Sequence, residues 1–131
     1  MKRGWRVGLG RASRKAGRGA EAWAALWLML KGYQVLGFRL KTRQGEIDLL
    51  ARRGRVLAVV EVKRRATVEA ALAALEDTQR RRLVAAARAV ASRRAGLKAL
   101  DVRLDLMAMA PGRFPVHVRG LIVESVGSSE A

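Results

Sequence analysis

Glu61 and Lys63 flank Val62, and Asp48 precedes them on the neighbouring apolar segment; these residues set the chemical question. Carboxylates among valines are costly to bury unless a cation or hydrogen bonds compensate them. Asp48 and Glu61 on adjacent strands can share one divalent ion, Mg2+ or Mn2+. Mg2+ in particular takes a few carboxylate oxygens and keeps several waters, one of which can serve as nucleophile. Lys63, a strand step from Glu61, can orient that water or stabilise charge developing on a phosphate. The candidate metal ligands are therefore Asp48, Glu61 and Val62, with Lys63 as the catalytic cation. The competing reading is an internal salt-bridge ladder, in which Glu61 or Asp48 pairs with Lys63, Arg64 or Arg65. Glu-Val-Lys alone is a weak signal, so its setting decides.

The setting is a hairpin. Glu46–Arg52 and Arg55–Arg64 read as strands joined by a two-residue loop at Arg53-Gly54. That loop pairs Arg52 with Arg55 and, further along, Glu46 with Glu61. Asp48 then lies one step along the same face, and Lys63 shares it because strand side chains alternate. Ile47, Leu49, Ala51, Val56, Ala58, Val60 and Val62 take the other face. Leu50, Leu57 and Val59 make the acidic face apolar away from its charged end. Strands apolar on both sides belong in the middle of a sheet covered by helices.

Around this hairpin the periodicity changes. A helix is expected from about Gly17 to Lys31, with Trp23, Leu26, Trp27 and Leu30 as its apolar face and Gly32 ending it. Tyr33–Leu40 reads as a strand and Gln44-Gly45 as a turn. Val68 to about Arg94 is helical with a break near Asp77-Thr78. Leu83, Ala87 and Val90 form its inner stripe, Gln79 sits at the margin, and Arg81, Arg82, Arg88 and Arg93 project away. Leu100, Val102, Leu104 and Leu106 alternate with Asp101, Arg103 and Asp105, a half-buried strand. The helical crossover makes this strand parallel to the third. Pro111-Gly112-Arg113 turns into a last strand, where His117 has the parity of a solvent-facing residue. The order is α-β-β-β-α-β-β.

At 131 residues there is room for one domain. Its 27 Lys and Arg against 11 Asp and Glu leave a formal charge of +16, expected of a protein whose partner is a polyanion. The partner expected is nucleic acid, DNA before RNA, and a homodimer is open. Phosphate contacts are assigned to Arg3, Arg6, Arg11, Arg14 and Lys15 in an N-terminal arm, to Arg64 and Arg65, and to Arg81, Arg82 and Arg88. With no cysteine and one histidine, disulfides, zinc–thiolate sites, cysteine nucleophiles and multi-histidine metal sites are excluded. Ala22–Leu30 is too short to span a bilayer and lacks a cleavage signal, so no membrane partner is expected and the protein is read as cytoplasmic.

The pattern Gly45-Glu46-Ile47-Asp48-Leu49, a turn, then Val60-Glu61-Val62-Lys63-Arg64-Arg65 resembles the YraN-type family of uncharacterised bacterial proteins. Glu21, Ala24-Ala25, Leu28 and Gly32-Tyr33 match that family's opening helix, and the likeness covers about Gly17 to Arg103. The resemblance implies a restriction-endonuclease-like α/β fold similar to Holliday-junction resolvases: an αβββαβ core whose central mixed sheet is flanked by helices. It also implies Asp48 and Glu61 as metal ligands, Lys63 as the catalytic lysine and Glu21 as an auxiliary acid. By itself Glu21 is equally a first-turn glutamate favoured by the helix dipole, and Glu46 a strand-start acid or a further partner for the ion. Two positions depart from the family: Gln79 replaces a usual lysine, and Arg39 a usual asparagine. The expected division is a flexible basic arm (1–16), a nuclease-like domain (17–124) and a disordered tail (125–131). The expected function is a Mg2+-dependent phosphodiesterase acting on DNA, with branched or damaged structures open as substrates. The rival is a catalytically inactive nuclease-fold module that binds DNA or RNA, which Gln79 favours.

Overall fold

A computed structural model of the chain describes residues 12–126, with side chains from residue 19 onward. Its elements are α1 (Ala12–Leu30), β1 (Gln34–Thr42), β2 (Gly45–Arg53), β3 (Val56–Arg64), α2 (Val68–Ala73), α3 (Asp77–Ser92), β4 (Asp101–Met109) and β5 (Val116–Glu124). The five strands form one sheet in the order β1-β2-β3-β4-β5. All pairs are antiparallel except β3–β4, which the crossover through α2 and α3 makes parallel. This is the expected mixed α/β architecture with its αβββαβ core. Among the described residues no helix is long and apolar enough to cross a membrane.

Each face of the sheet has its own core, which is why the central strands are apolar on both sides. Leu50, Leu57, Val59, Val102, Leu104 and Leu106 pack with Leu83, Ala86, Ala87 and Ala91 beneath α2 and α3. Leu49, Ala51, Ala58, Val60, Met107 and Met109 pack beneath α1. The stripe that α1 turns inward is Glu21, Ala24, Ala25 and Leu28, not the expected Trp23, Leu26 and Leu30, which are exposed; Trp27 is half-buried. Both stripes have helical spacing, but the alanines let the helix approach the sheet closely and the large side chains do not. Gly32 ends the helix as expected, with φ 93° and the Tyr33 N–H donating to the Leu28 carbonyl at 3.0 Å.

The hairpin differs from expectation by two residues. Arg53 pairs with Val56, so the loop is Gly54-Arg55, and Gly54 takes the left-handed φ of 60° that this turn requires. A shift of two preserves parity along the ladder, so Glu61 and Lys63 keep the face expected of them, but Asp48 rather than Glu46 comes beside Glu61. The β2–β3 ladder runs from Leu49–Val60 to Arg53–Val56. Beyond it Ile47 packs beneath α3 with Leu50, not with Leu49 and Ala51.

Polar alternation in the last two strands was a second misleading signal. Asp105 and the His117 side chain face inward beneath α1, 0% and 1% exposed. Lys31 Nζ donates to His117 Nδ1, and His117 Nε2 donates to Asp105 Oδ2, both at 2.7 Å. Arg103 donates to both Asp105 oxygens at 2.8 Å and also to the Tyr33 hydroxyl. The Gly120 N–H completes the set at 3.0 Å. A strand whose polar side chains are mutually satisfied has the same alternation as one facing water.

Candidate metal and nucleic-acid site

Asp48 and Glu61 meet where the β2–β3 ladder ends. Asp48 Oδ2 accepts the Val62 N–H at 2.9 Å, a main-chain bond that fixes the carboxylate beside β3. The Asp48 and Glu61 side chains hydrogen-bond each other. Glu61 Oε2 lies 3.3 Å from Lys63 Nζ and 3.2 Å from Gln79 Nε2, at the first turn of α3. The margin position expected for Gln79 is thus a place over the acids.

The electrostatics follow from burial. Desolvation pushes Glu61 up to about 7, the Asp48 charge adds to the rise, and Lys63 opposes it. Burial also raises Asp48, although the Val62 N–H and the bond from Glu61 work the other way. Glu46, exposed at the start of β2, contributes only repulsion on Asp48.

Glu21 reaches this region at one remove. It accepts from Arg39 Nε at 3.0 Å. Arg39 lies between the paired positions Phe38–Leu49 and Leu40–Ile47, hence across from Asp48. Arg39 is also the non-glycine residue with a left-handed φ, 48°. Asparagine, the residue that the family resemblance implies here, tolerates that conformation better than most residues. That swap was the signal in the sequence; the Glu21–Arg39 ion pair was not legible from it. Among the described residues no three His, Asp or Glu side chains gather closely enough to hold an ion together, so Asp48 and Glu61 act as a pair, with Val62 able to offer only main-chain atoms.

The basic residues divide. Arg64, Arg65, Arg81 and Arg82 are exposed. Arg88 is half-buried and engaged by the chain itself, donating to the Glu124 carboxylate at 3.2 Å and to the Glu124 and Leu100 carbonyls. It clamps α3 to the end of β5, contrary to its expected outward projection. Arg80, which nothing in the sequence singled out, similarly donates to the Leu72 and Leu75 carbonyls at the end of α2. Arg3, Arg6 and Arg11 lie outside the described residues, as do the side chains of Arg14 and Lys15.

Residues 20–109 match the model of the uncharacterised protein family UPF0102. The chain is 64% identical to a "UPF0102 protein" of Caulobacter vibrioides (strain NA1000 / CB15N) over 118 residues, 90% of this chain and 94% of that one. It is 61% identical to a "UPF0102 protein" of Caulobacter sp. (strain K31), covering 83% of this chain and 78% of that one. A relative of the same description in Rhizobium meliloti (strain 1021) is 48% identical, covering 79% and 85% respectively.

Proposed function

We propose that this chain, which belongs to the UPF0102 family, is a cytoplasmic DNA-binding protein that hydrolyses phosphodiester bonds with Mg2+ or Mn2+ held by Asp48 and Glu61. One observation carries the reading: the buried Glu61 and half-buried Asp48 carboxylates are in mutual contact, both raised by desolvation, with an ammonium 3.3 Å from Glu61. Proteins seldom bury such a pair without a use for it. The donor set fits a hard cation, since Mg2+ is commonly held by one or two carboxylates and completes its shell from water and substrate phosphate. When bound, such an ion supplies positive charge against a phosphoryl oxygen. The chain's own residues then have separable tasks. The Val62 N–H fixes Asp48, Gln79 orients Glu61, and Lys63 is placed to balance charge on the phosphate. The +16 surplus draws the DNA, branched or damaged forms included.

A second reading, a binding module without chemistry, is favoured by a different observation. Lys63 and Gln79 both bond the same Glu61 oxygen, and Arg39 holds Glu21, so the acids are partly satisfied by the protein itself. The deciding experiment is a Mg2+/Mn2+ cleavage panel on duplex, single-stranded and branched DNA and on RNA, run beside Asp48→Ala. Cleavage that needs metal and disappears in the variant supports the enzyme. Tight binding with no cleavage of any substrate leaves the module.

A further inference from the structure

At the carboxyl ends of the parallel strands β3 and β4 a groove of about 670 Å3 opens on the α1 side of the sheet. Trp23, Arg64, Pro111, Arg113 and Phe114 line it, and no carboxylate does among the described residues. Phe114 is 70% exposed and Trp23 42%. The Phe114 ring stacks on Trp27 at 5.5 Å, and Trp27 meets Trp23 edge-on at 6.4 Å. A loop phenylalanine on the surface, propped by a second ring, is apolar area displayed rather than stored. In the chain, the lining residues Ala20 and Arg64 are next to Glu21 and Lys63, while the Asp48–Glu61 pair itself lies toward α3 on the other face of the sheet. Crevices outside the carboxyl ends of strands are where open α/β sheets take ligands.

We infer that this groove holds an unpaired nucleotide of a DNA strand, its base stacked on Trp23 or Phe114 and its phosphates facing Arg64 and Arg113. Flat rings beside guanidinium groups, without acids, suit a base attached to a phosphate backbone. Bases paired within a duplex cannot offer their faces to such rings, so the substrate class is single-stranded or flapped DNA rather than intact duplex. The inference rests on the DNA-binding reading above and gives it a substrate preference.

Fluorescence anisotropy with labelled oligothymidylate and a blunt-ended duplex tests it on the full chain. Phe114→Ala and Trp23→Ala should each weaken single-strand binding by about tenfold, the scale of one base–aromatic stack, and leave duplex binding unchanged. Phe114→Tyr and Trp23→Phe should restore it. Phe114 lies in an exposed loop, so its variants remain informative even if Trp23→Ala unfolds. Equal weakening on both DNAs, or none on either, overturns the inference while leaving DNA binding intact. Failure of the unaltered protein to bind either DNA overturns the DNA-binding reading and the inference with it. A dimer in sedimentation that Phe114→Ala dissolves assigns the groove to a second copy and also overturns it.

Discussion

Two buried carboxylate sites lie on this one sheet, on opposite faces, and they are kept in opposite states. Beneath α1, burial alone would raise Asp105, but hydrogen bonds from His117, Arg103 and the Gly120 N–H outweigh it and hold the group below its ordinary value. Beneath α3, Asp48 and Glu61 have the Lys63 ammonium, the Gln79 amide and the Val62 N–H between them, and both are raised. Burial is common to the two sites; the count of donors and positive charges separates them. Asp105 has a complete set of partners and ties β4, β5 and the end of α1 together. Asp48 and Glu61 share a single neighbouring ammonium, that of Lys63.

The largest expected effect breaks the completed site. Asp105→Asn leaves the half-buried Arg103 without its counter-charge at a fully buried position and should cost about 3 kcal/mol, read as a fall in the denaturant midpoint. Because folding lowers the Asp105 value, its contribution is present above the unfolded value near 3.8 and lost as pH falls through the folded one. The gap between wild type and variant should therefore persist at neutral pH and close in acid. A gap that widens in acid contradicts the assignment.

Next in size is Lys63→Met at the incomplete site. It should reduce metal-dependent cleavage on the order of a hundredfold while DNA affinity, measured by anisotropy, stays nearly constant. A salt-bridge ladder gives the reverse pattern: a stability loss of about 3–5 kcal/mol and no dependence of any activity on Lys63.

A smaller effect tests the contrast directly, since the same chemical change should have opposite signs at the two sites. Asp48→Asn removes the charge that repels Glu61 and keeps an oxygen for the Val62 N–H. In chelator at pH 7 it should raise stability by about 1 kcal/mol, the scale of one pKa unit of relieved repulsion. Destabilisation as severe as that of Asp105→Asn would mean that the two sites do not differ as described.

The smallest effect concerns the arginines. If Arg81 and Arg82 meet phosphates, replacing both by Ala should lower the log–log salt slope of duplex binding by up to about 0.9 for each phosphate left without its arginine. Arg88→Ala should act through stability, because its partners are Glu124 and Leu100. A salt slope that responds to Arg88 and ignores Arg81 and Arg82 would reverse this division.

What the sequence determined by itself is local and periodic. It placed Glu61 and Lys63 on one face of β3 and Asp48 close to them on β2, because alternation along the ladder survives a two-residue slip of register, although it breaks next to Asp48 at Ile47. It also placed Gln79 at the edge of α3's buried stripe, from which its amide reaches Glu61, and made β4 parallel through the helical crossover. What only the tertiary structure decided is which of two equivalent patterns is buried. On α1 the stripes Glu21–Ala24–Ala25–Leu28 and Trp23–Leu26–Trp27–Leu30 are equally spaced, and the fit of small side chains against the sheet selected the first. On β4 and β5 the polar positions Arg103, Asp105 and His117 could have faced water. They face α1, because partners distant in the chain satisfy them: His117 for Asp105, and Lys31 for His117. Periodicity reports that a position is polar; whether a polar group is solvated or buried depends on neighbours that only folding brings together.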